Sequence, residues 1–179
     1  MNESDSDYYS SLIDKYKDLA YSIALKITKN ELDSEEIVQD SFVKAFHGLS
    51  KFKNESQFST WFYRIVYNTS ISALRLKKLK TIDIDIKLID TIDFTQIEDE
   101  IQNLNDQDRK QIIQRAMNKL VELDYTILTL YYFESKSIEE IASIVDMKRD
   151  YLKVLLQRAR KKLYNGLNHS IKLELKELL

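Results

Sequence analysis

Between Ser137 and Leu163 the chain gathers side chains suited to the edges and phosphates of duplex DNA. They are the guanidinium groups of Arg149, Arg158 and Arg160, the ammonium groups of Lys153 and Lys161, the phenol of Tyr151, the amide of Gln157 and the methyls of Val154. Arginine and lysine neutralise phosphates and fix a protein's register on the duplex, whereas amides, guanidiniums and methyls read base edges in the major groove. No nucleophile, base and orienting group stand together, so the chemistry on offer is recognition and not covalent catalysis. Such groups act in concert only if a rigid element presents them. Ser137 and Glu140 have the spacing of a capping box, and Ile138, Ile141, Ala142 and Val145 then recur at helical spacing. A turn is expected at Asp146-Met147-Lys148, where an aspartate tolerates positive φ, and a second helix from about Asp150. In that helix Leu152, Leu156, Ala159 and Leu163 form the stripe to be buried, with Leu155 able to widen it. The pattern is that of a helix-turn-helix with its recognition helix. An amphipathic hairpin with a merely solvated basic face would share it, and terminal bases also complement a helix macrodipole. The cluster Arg158, Arg160, Lys161 and Lys162 favours phosphate contact.

A second set of groups lies earlier. After Gly48 a loop, Lys51 to Gln57, leads into a segment in which Phe58, Trp61, Phe62, Tyr63 and Tyr67 crowd one helix. Phe58, Trp61, Phe62, Ile65 and Thr69 fit a buried stripe, and Trp61 is assigned to packing. Tyr63, Arg64, Tyr67, Asn68, Ile71 and Arg75 fall on another side, where aromatics alternate with bases and an amide. That mixture suits unpaired bases, which offer faces for stacking and free edges for hydrogen bonds.

Two helices must support this one. Leu12, Ile13, Tyr16, Leu19, Ala20, Ile23 and Ile27 line one side of a helix expected from Tyr8 to about Lys29. Asp33 with Glu36 suggests a capped start for the next, whose apolar face runs through Ile37, Val38, Ser41, Phe42, Ala45 and Phe46 to Gly48. Its other side carries Glu35, Glu36, Gln39, Asp40 and Lys44, which reads either as a solvated face or as a docking surface.

Composition narrows the classes. Of 179 residues 44% are hydrophobic, none is proline and two are glycine, so an all-α chain is expected and glycine loops that cradle phosphates are not. There is no cysteine, and His47 and His169 are far apart, so neither a disulfide framework nor a metal site is expected, and no cofactor is implied. The acidic start does not resemble a signal peptide and no apolar run suits a membrane span, so a cytoplasmic protein is expected. The net charge of −2 conceals an asymmetry: residues 1–80 carry +1, residues 81–108 carry −8 and residues 109–179 carry +5. The expected plan is two small helical domains, 1–80 and 109–179, joined by an acidic linker at 81–108. The linker reads as a solvated tether or, at Ile82 to Leu88 with its period of two, as a short strand.

Three segments together resemble a known family. Asp33 to Phe46 looks like the polymerase-binding region of bacterial sigma factors, Phe58 to Asn68 like their promoter-melting and minus-ten segment, and the terminal helix-turn-helix like their minus-thirty-five reader. With two modules and a short linker, the chain is similar to the extracytoplasmic-function group of the sigma-70 family. The resemblance implies that Glu35, Glu36, Gln39, Asp40 and Lys44 dock on the clamp helices of the largest polymerase subunit, with the polymerase flap as a second contact. It implies that Lys53, Asn54, Glu55 and Ser56 cradle a base flipped from the minus-ten element, and that Arg64, Tyr67, Asn68, Ile71 and Arg75 hold the opened strand. Arg149, Tyr151, Lys153, Val154, Gln157, Arg158, Arg160 and Lys161 would read the minus-thirty-five element. An anti-sigma partner is implied as well. The chain departs from the family where Val154 and Leu155 replace small and basic residues and where Asp146 replaces the usual turn glycine. Two other readings remain: a helix-turn-helix regulator acting without polymerase, and a polymerase-binding adaptor or decoy.

Overall fold

A computed structural model describes residues 3–52, 56–77 and 105–177. Seven α-helices make up the regular structure of these residues, with one 3₁₀ turn at Leu49–Lys51 and no strand among them. They are α1 (Glu3–Thr28), α2 (Glu31–Gly48), α3 (Phe58–Lys77), α4 (Asp106–Asn118), α5 (Glu122–Tyr132), α6 (Ile138–Val145) and α7 (Arg149–Glu177). The candidate strand at 82–88 and residues 81–104 of the acidic linker lie outside the described residues.

The helices gather into two compact units. One holds α1, α2 and α3 together with residues 136–149, which include α6; the other holds α4, α5 and the chain from Asp150. In the first unit α1, α2 and α3 pack mutually. Ala20, Ile23, Ala24 and Ile27 of α1 and Ile37, Phe42 and Ala45 of α2 are buried with Phe62, Tyr63 and Val66 of α3. Aromatic rings fill the middle: Phe42 stacks on Phe62 at 4.4 Å between centroids, and Tyr16 meets Tyr63 edge-on at 6.0 Å. Such pairs add roughly 0.5–1.5 kcal/mol each beyond the area they bury. Tyr63, expected on the polar side of its helix, is fully buried here because α3 is enclosed over a wider arc than one stripe.

In the second unit Ile112 and Ala116 of α4 cluster with Leu167 of α7, flanked by Ile113, Leu163 and Tyr164. Asp124 of α5 is almost wholly buried and accepts a hydrogen bond from Lys162 Nζ at 2.5 Å. Helix α4 starts at Asp106, inside the stretch assigned to the linker, because Asn105 caps it by accepting from the amide of Asp108 at 2.9 Å. Asp106 and Asp108 then face the positive end of the helix dipole.

With so little glycine, the chain turns left-handed at Lys29 (φ 57°), Ser135 (φ 51°) and Asp146 (φ 55°). The α1–α2 junction is capped by Asn30, whose side chain accepts from the Asp33 amide at 3.0 Å, so the helix begins before the expected Asp33 cap. The Ser137 and Glu140 capping box is present, with both reciprocal hydrogen bonds formed. Asp146 ends α6 in the left-handed region, as its side chain suggests.

Burial alone would raise the Glu140 carboxyl, but the Thr60 hydroxyl, the Ser137 amide and hydroxyl and the Lys136 ammonium together hold it below its ordinary range. A carboxyl lowered on folding contributes stability above its unfolded pKa and loses it as pH falls through the folded value. Amide exchange in α6 is therefore expected to accelerate, beyond its intrinsic pH dependence, as the solution is acidified below the usual carboxylate range. Glu140→Gln should remove that component. Equal acid sensitivity in the two proteins would refute this assignment.

Candidate functional site

The polar side of α2 is a continuous exposed face. Glu35, Glu36, Gln39, Asp40 and Lys44 are all exposed, while Ile37, Val38, Ser41, Phe42 and Ala45 point inward. Two apolar side chains missed in the sequence reading share that face at helical spacing: Leu32, 77% exposed, and Val43, 52% exposed. Their positions, three residues before Glu35 and four after Gln39, were the available signal. Acids bracketed by two exposed aliphatic groups make a surface that can exchange water for a partner at little cost to its own fold. Lys44 reaches across to Thr69 Oγ1 at 3.3 Å, tying the end of this face to α3.

Helix α3 carries the second set. Arg64, Asn68 and Arg75 are exposed, and Tyr67 and Ile71 are half-buried. Burial pushes the Tyr67 phenol up, and the nearby Arg75 guanidinium partly offsets that. These residues lie along one side of α3, so the structure brings the charged, amide and phenolic groups together as the spacing implied. Ser56 is exposed at the entrance to the helix; Lys53, Asn54 and Glu55 lie outside the described residues.

The entrance to α3 is fixed by aromatic packing. Trp61 lies 5.0 Å from Phe52 and 5.8 Å from Phe58 between centroids, and its ring approaches Gly48 so closely that a Cβ there would meet Trp61 Cζ2 at 2.9 Å. Glycine at 48 is thus needed for space. Gly48→Ala is expected to destabilise the first unit by about 1–3 kcal/mol, the usual cost of overpacking, with a matching change in Trp61 fluorescence. An unchanged melting temperature and emission would show that the ring gives way freely.

The third set lies on α7. Leu152, Leu155, Leu156 and Ala159 are buried, so Leu155 does widen the apolar stripe. Val154 is 41% exposed, Arg149 and Gln157 are exposed, and Tyr151, Lys153, Arg158 and Lys161 are half-buried. Lys153, Val154, Gln157, Arg158 and Lys161 recur along one side of the helix. Arg149 is held by Glu139, and Lys153 lies 3.8 Å from Asp150. Arg160 is turned elsewhere: its guanidinium stands over Tyr131 and Tyr132, at 5.0 and 5.6 Å from the ring centres. Lys162 is engaged with Asp124. Among the described residues no group of histidine, cysteine, aspartate and glutamate side chains is placed to hold a metal ion.

Comparison with known proteins places these surfaces in context. Residues 12–79 match Sigma-70 region 2, and residues 110–163 match Sigma-70 region 4. The RNA polymerase sigma factor SigV of Bacillus subtilis (strain 168) is 32% identical over 150 residues, covering 83% of this chain and 84% of its own length. The ECF RNA polymerase sigma factor SigW of the same organism is 27% identical over 173 residues, covering 91% and 90%. Among solved structures, the sigma factor RpoE in complex with the anti-sigma factor NepR from Bartonella quintana shares the fold with a TM-score of 0.62 at 18% identity, over 89% of this chain and 96% of that one. CnrH in complex with the cytosolic domain of CnrY does so with a TM-score of 0.59 at 20% identity, over 92% and 90%.

Proposed function

The chain belongs to the sigma-70 family, as an extracytoplasmic-function sigma factor, and from that membership we propose how its residues divide the work of promoter-directed initiation. It binds core RNA polymerase and directs promoter-specific initiation. Catalysis of RNA synthesis belongs to the polymerase. The exposed face of α2, formed by Glu35, Glu36, Gln39, Asp40 and Lys44 with Leu32 and Val43 at its ends, docks on the clamp helices of the largest subunit. The observation that carries this reading is the exposure of those five polar side chains on a helix whose opposite face is buried.

Arg64, Tyr67, Asn68, Ile71 and Arg75 hold the opened strand of the minus-ten element, with Ser56 and the neighbouring loop residues Lys53, Asn54 and Glu55 receiving a flipped base. Unstacking a base costs a few kcal/mol, and stacking on an aromatic side chain returns roughly 1–3 kcal/mol. Helix α7 reads the minus-thirty-five element through Arg149, Tyr151, Lys153, Val154, Gln157, Arg158 and Lys161; Arg160 supports that helix from its place on the tyrosines. The working division is 1–80 for polymerase and minus-ten recognition, 81–108 as linker and 109–179 for minus-thirty-five recognition. We place the protein in the cytoplasm with its polymerase; no described helix is long and apolar enough to cross a membrane. The two solved relatives are bound to NepR and to CnrY, and a regulatory partner of that kind is proposed here too.

The test is run-off transcription from fragmented genomic DNA by core polymerase with and without the chain. Discrete transcripts that need the chain are expected, and their starts define its promoter. Polymerase capture without such transcripts would indicate an adaptor; no capture would remove the polymerase-binding assignment.

A further inference from the structure

The first turn of α7 carries an acid in the middle of its exposed basic side. Residues 149–167 hold six bases and one acid, Asp150. The Asp150 side chain is 93% exposed. It lies four, seven and eleven residues before Val154, Gln157 and Lys161, on the side of the helix opposite the buried Leu152, Leu155, Leu156 and Ala159. The Lys153 ammonium stands 3.8 Å from its carboxylate. That is beyond a direct hydrogen bond, so the carboxylate keeps its acceptors and the ammonium its donors for another partner. Arg149, the neighbouring base, is instead held by Glu139. The N-terminal end of α7 therefore presents one acceptor group and one donor group side by side.

Resting on the reading of α7 as the minus-thirty-five reader, we propose that Asp150 and Lys153 together read one C·G base pair of that element, with Asp150 as the specificity-determining residue. The first residues of a recognition helix are those that reach base edges. An ionised carboxylate only accepts hydrogen bonds. In the major groove guanine offers the acceptors N7 and O6 and thymine the acceptor O4, so both repel it, and adenine sets its amino group beside the acceptor N7. Cytosine alone offers an amino donor, N4, with no acceptor on its own edge. The paired guanine then turns O6 and N7 toward a donor, which the Lys153 ammonium supplies. Phosphates give the same answer by exclusion: a carboxylate among bases that bind the backbone weakens binding on every sequence unless a base amino group receives it. An aspartate in a first turn also favours its helix dipole, but that role sets stability and not base preference.

The test is transcription by core polymerase and the full-length chain over a library in which each base pair of the upstream element is varied, read beside melting curves. The unmodified chain is expected to favour C·G over the other pairs at one position by about fivefold or more. Asp150→Ala should abolish that preference and leave the other positions as they were. Asp150→Asn should move it toward adenine, whose N6 and N7 an amide matches. Lys153→Ala should weaken the preference at the same position. An unchanged profile in Asp150→Ala would overturn the proposal. So would a rise on all sequences alike, which would make the carboxylate only a source of phosphate repulsion. An equal loss on all sequences in Lys153→Ala would overturn the paired reading. If the unmodified chain initiates at discrete promoters but is indifferent to the upstream element, the assignment of α7 fails and the proposal with it; if it supports no transcription, the sigma-factor reading itself fails.

Discussion

Reversing Glu36 and Asp40 together to lysine is expected to weaken capture of core polymerase by at least about tenfold, and toward a hundredfold, because it inverts the charge of the proposed docking face, and a partner complementary to these acids then meets like charge. Both side chains are exposed on α2 and neither belongs to its buried face, so the fold should lose no more than about 0.5 kcal/mol. The helix start stays intact because Asn30 caps it and Glu31 and Asp33 remain in the first turn. Binding measured by pull-down and by titration, alongside a melting curve, separates the two effects. Val43→Asp is a useful companion, since it removes an apolar contact that the exposed face offers without touching the acids. Capture unchanged by the double reversal would move the polymerase contact off α2. Capture lost together with the melting transition would make the result a folding defect and leave the face unassigned.

That prediction depends on what the sequence could and could not convey. Local chemistry was legible: the Ser137 and Glu140 box and the left-handed Asp146 are set by the residues that adopt them, and both are present. The apolar stripes of α1 and α2 were legible for the same reason, since each faces the core on one side only. Helix α5 carried no such stripe. Thr126, Ile127, Leu128, Thr129 and Leu130 are consecutive and all buried, so period gives no signal where a helix is enclosed all round. Tyr63 was misplaced by the same effect in α3. The Asn30 cap escaped because Asp33 and Glu36 offered an equally good pattern three residues later. Least legible of all was Lys136, whose partners Gln57 and Ser59 are 79 and 77 positions away. A lysine in a sequence reads as solvated surface; only the tertiary contact reveals that this one is buried. The same limit applies to α7, where the bases were visible but the tyrosines that hold Arg160 were not connected to it.

On α7, therefore, neighbouring side chains should give opposite results. Gln157→Ala removes an exposed amide from the side of the helix that also carries Lys153, Val154 and Arg158. A lost bidentate base contact is worth about 1–3 kcal/mol of discrimination, so transcription should fall about fivefold to a hundredfold at promoters that need the upstream element. Promoters with a strong minus-ten element should be affected less, because strand opening is assigned to α3. Arg160→Ala removes a guanidinium stacked over Tyr131 and Tyr132, together with the packing of its aliphatic stem. Its expected effect is a loss of roughly 1–2 kcal/mol of stability, from the cation–π contact and that packing, with little change in the preferred promoter sequence. Lysine at 160 should recover part of that stability but not all, since an ammonium lacks the flat face that stacks on a ring. Transcription from a library of upstream elements, read beside melting curves, distinguishes the two roles. Should Arg160→Ala alter the preferred sequence while Gln157→Ala does not, the reading face of α7 lies on the tyrosine side of the helix, and Val154 is then a solvated residue with no part in base readout.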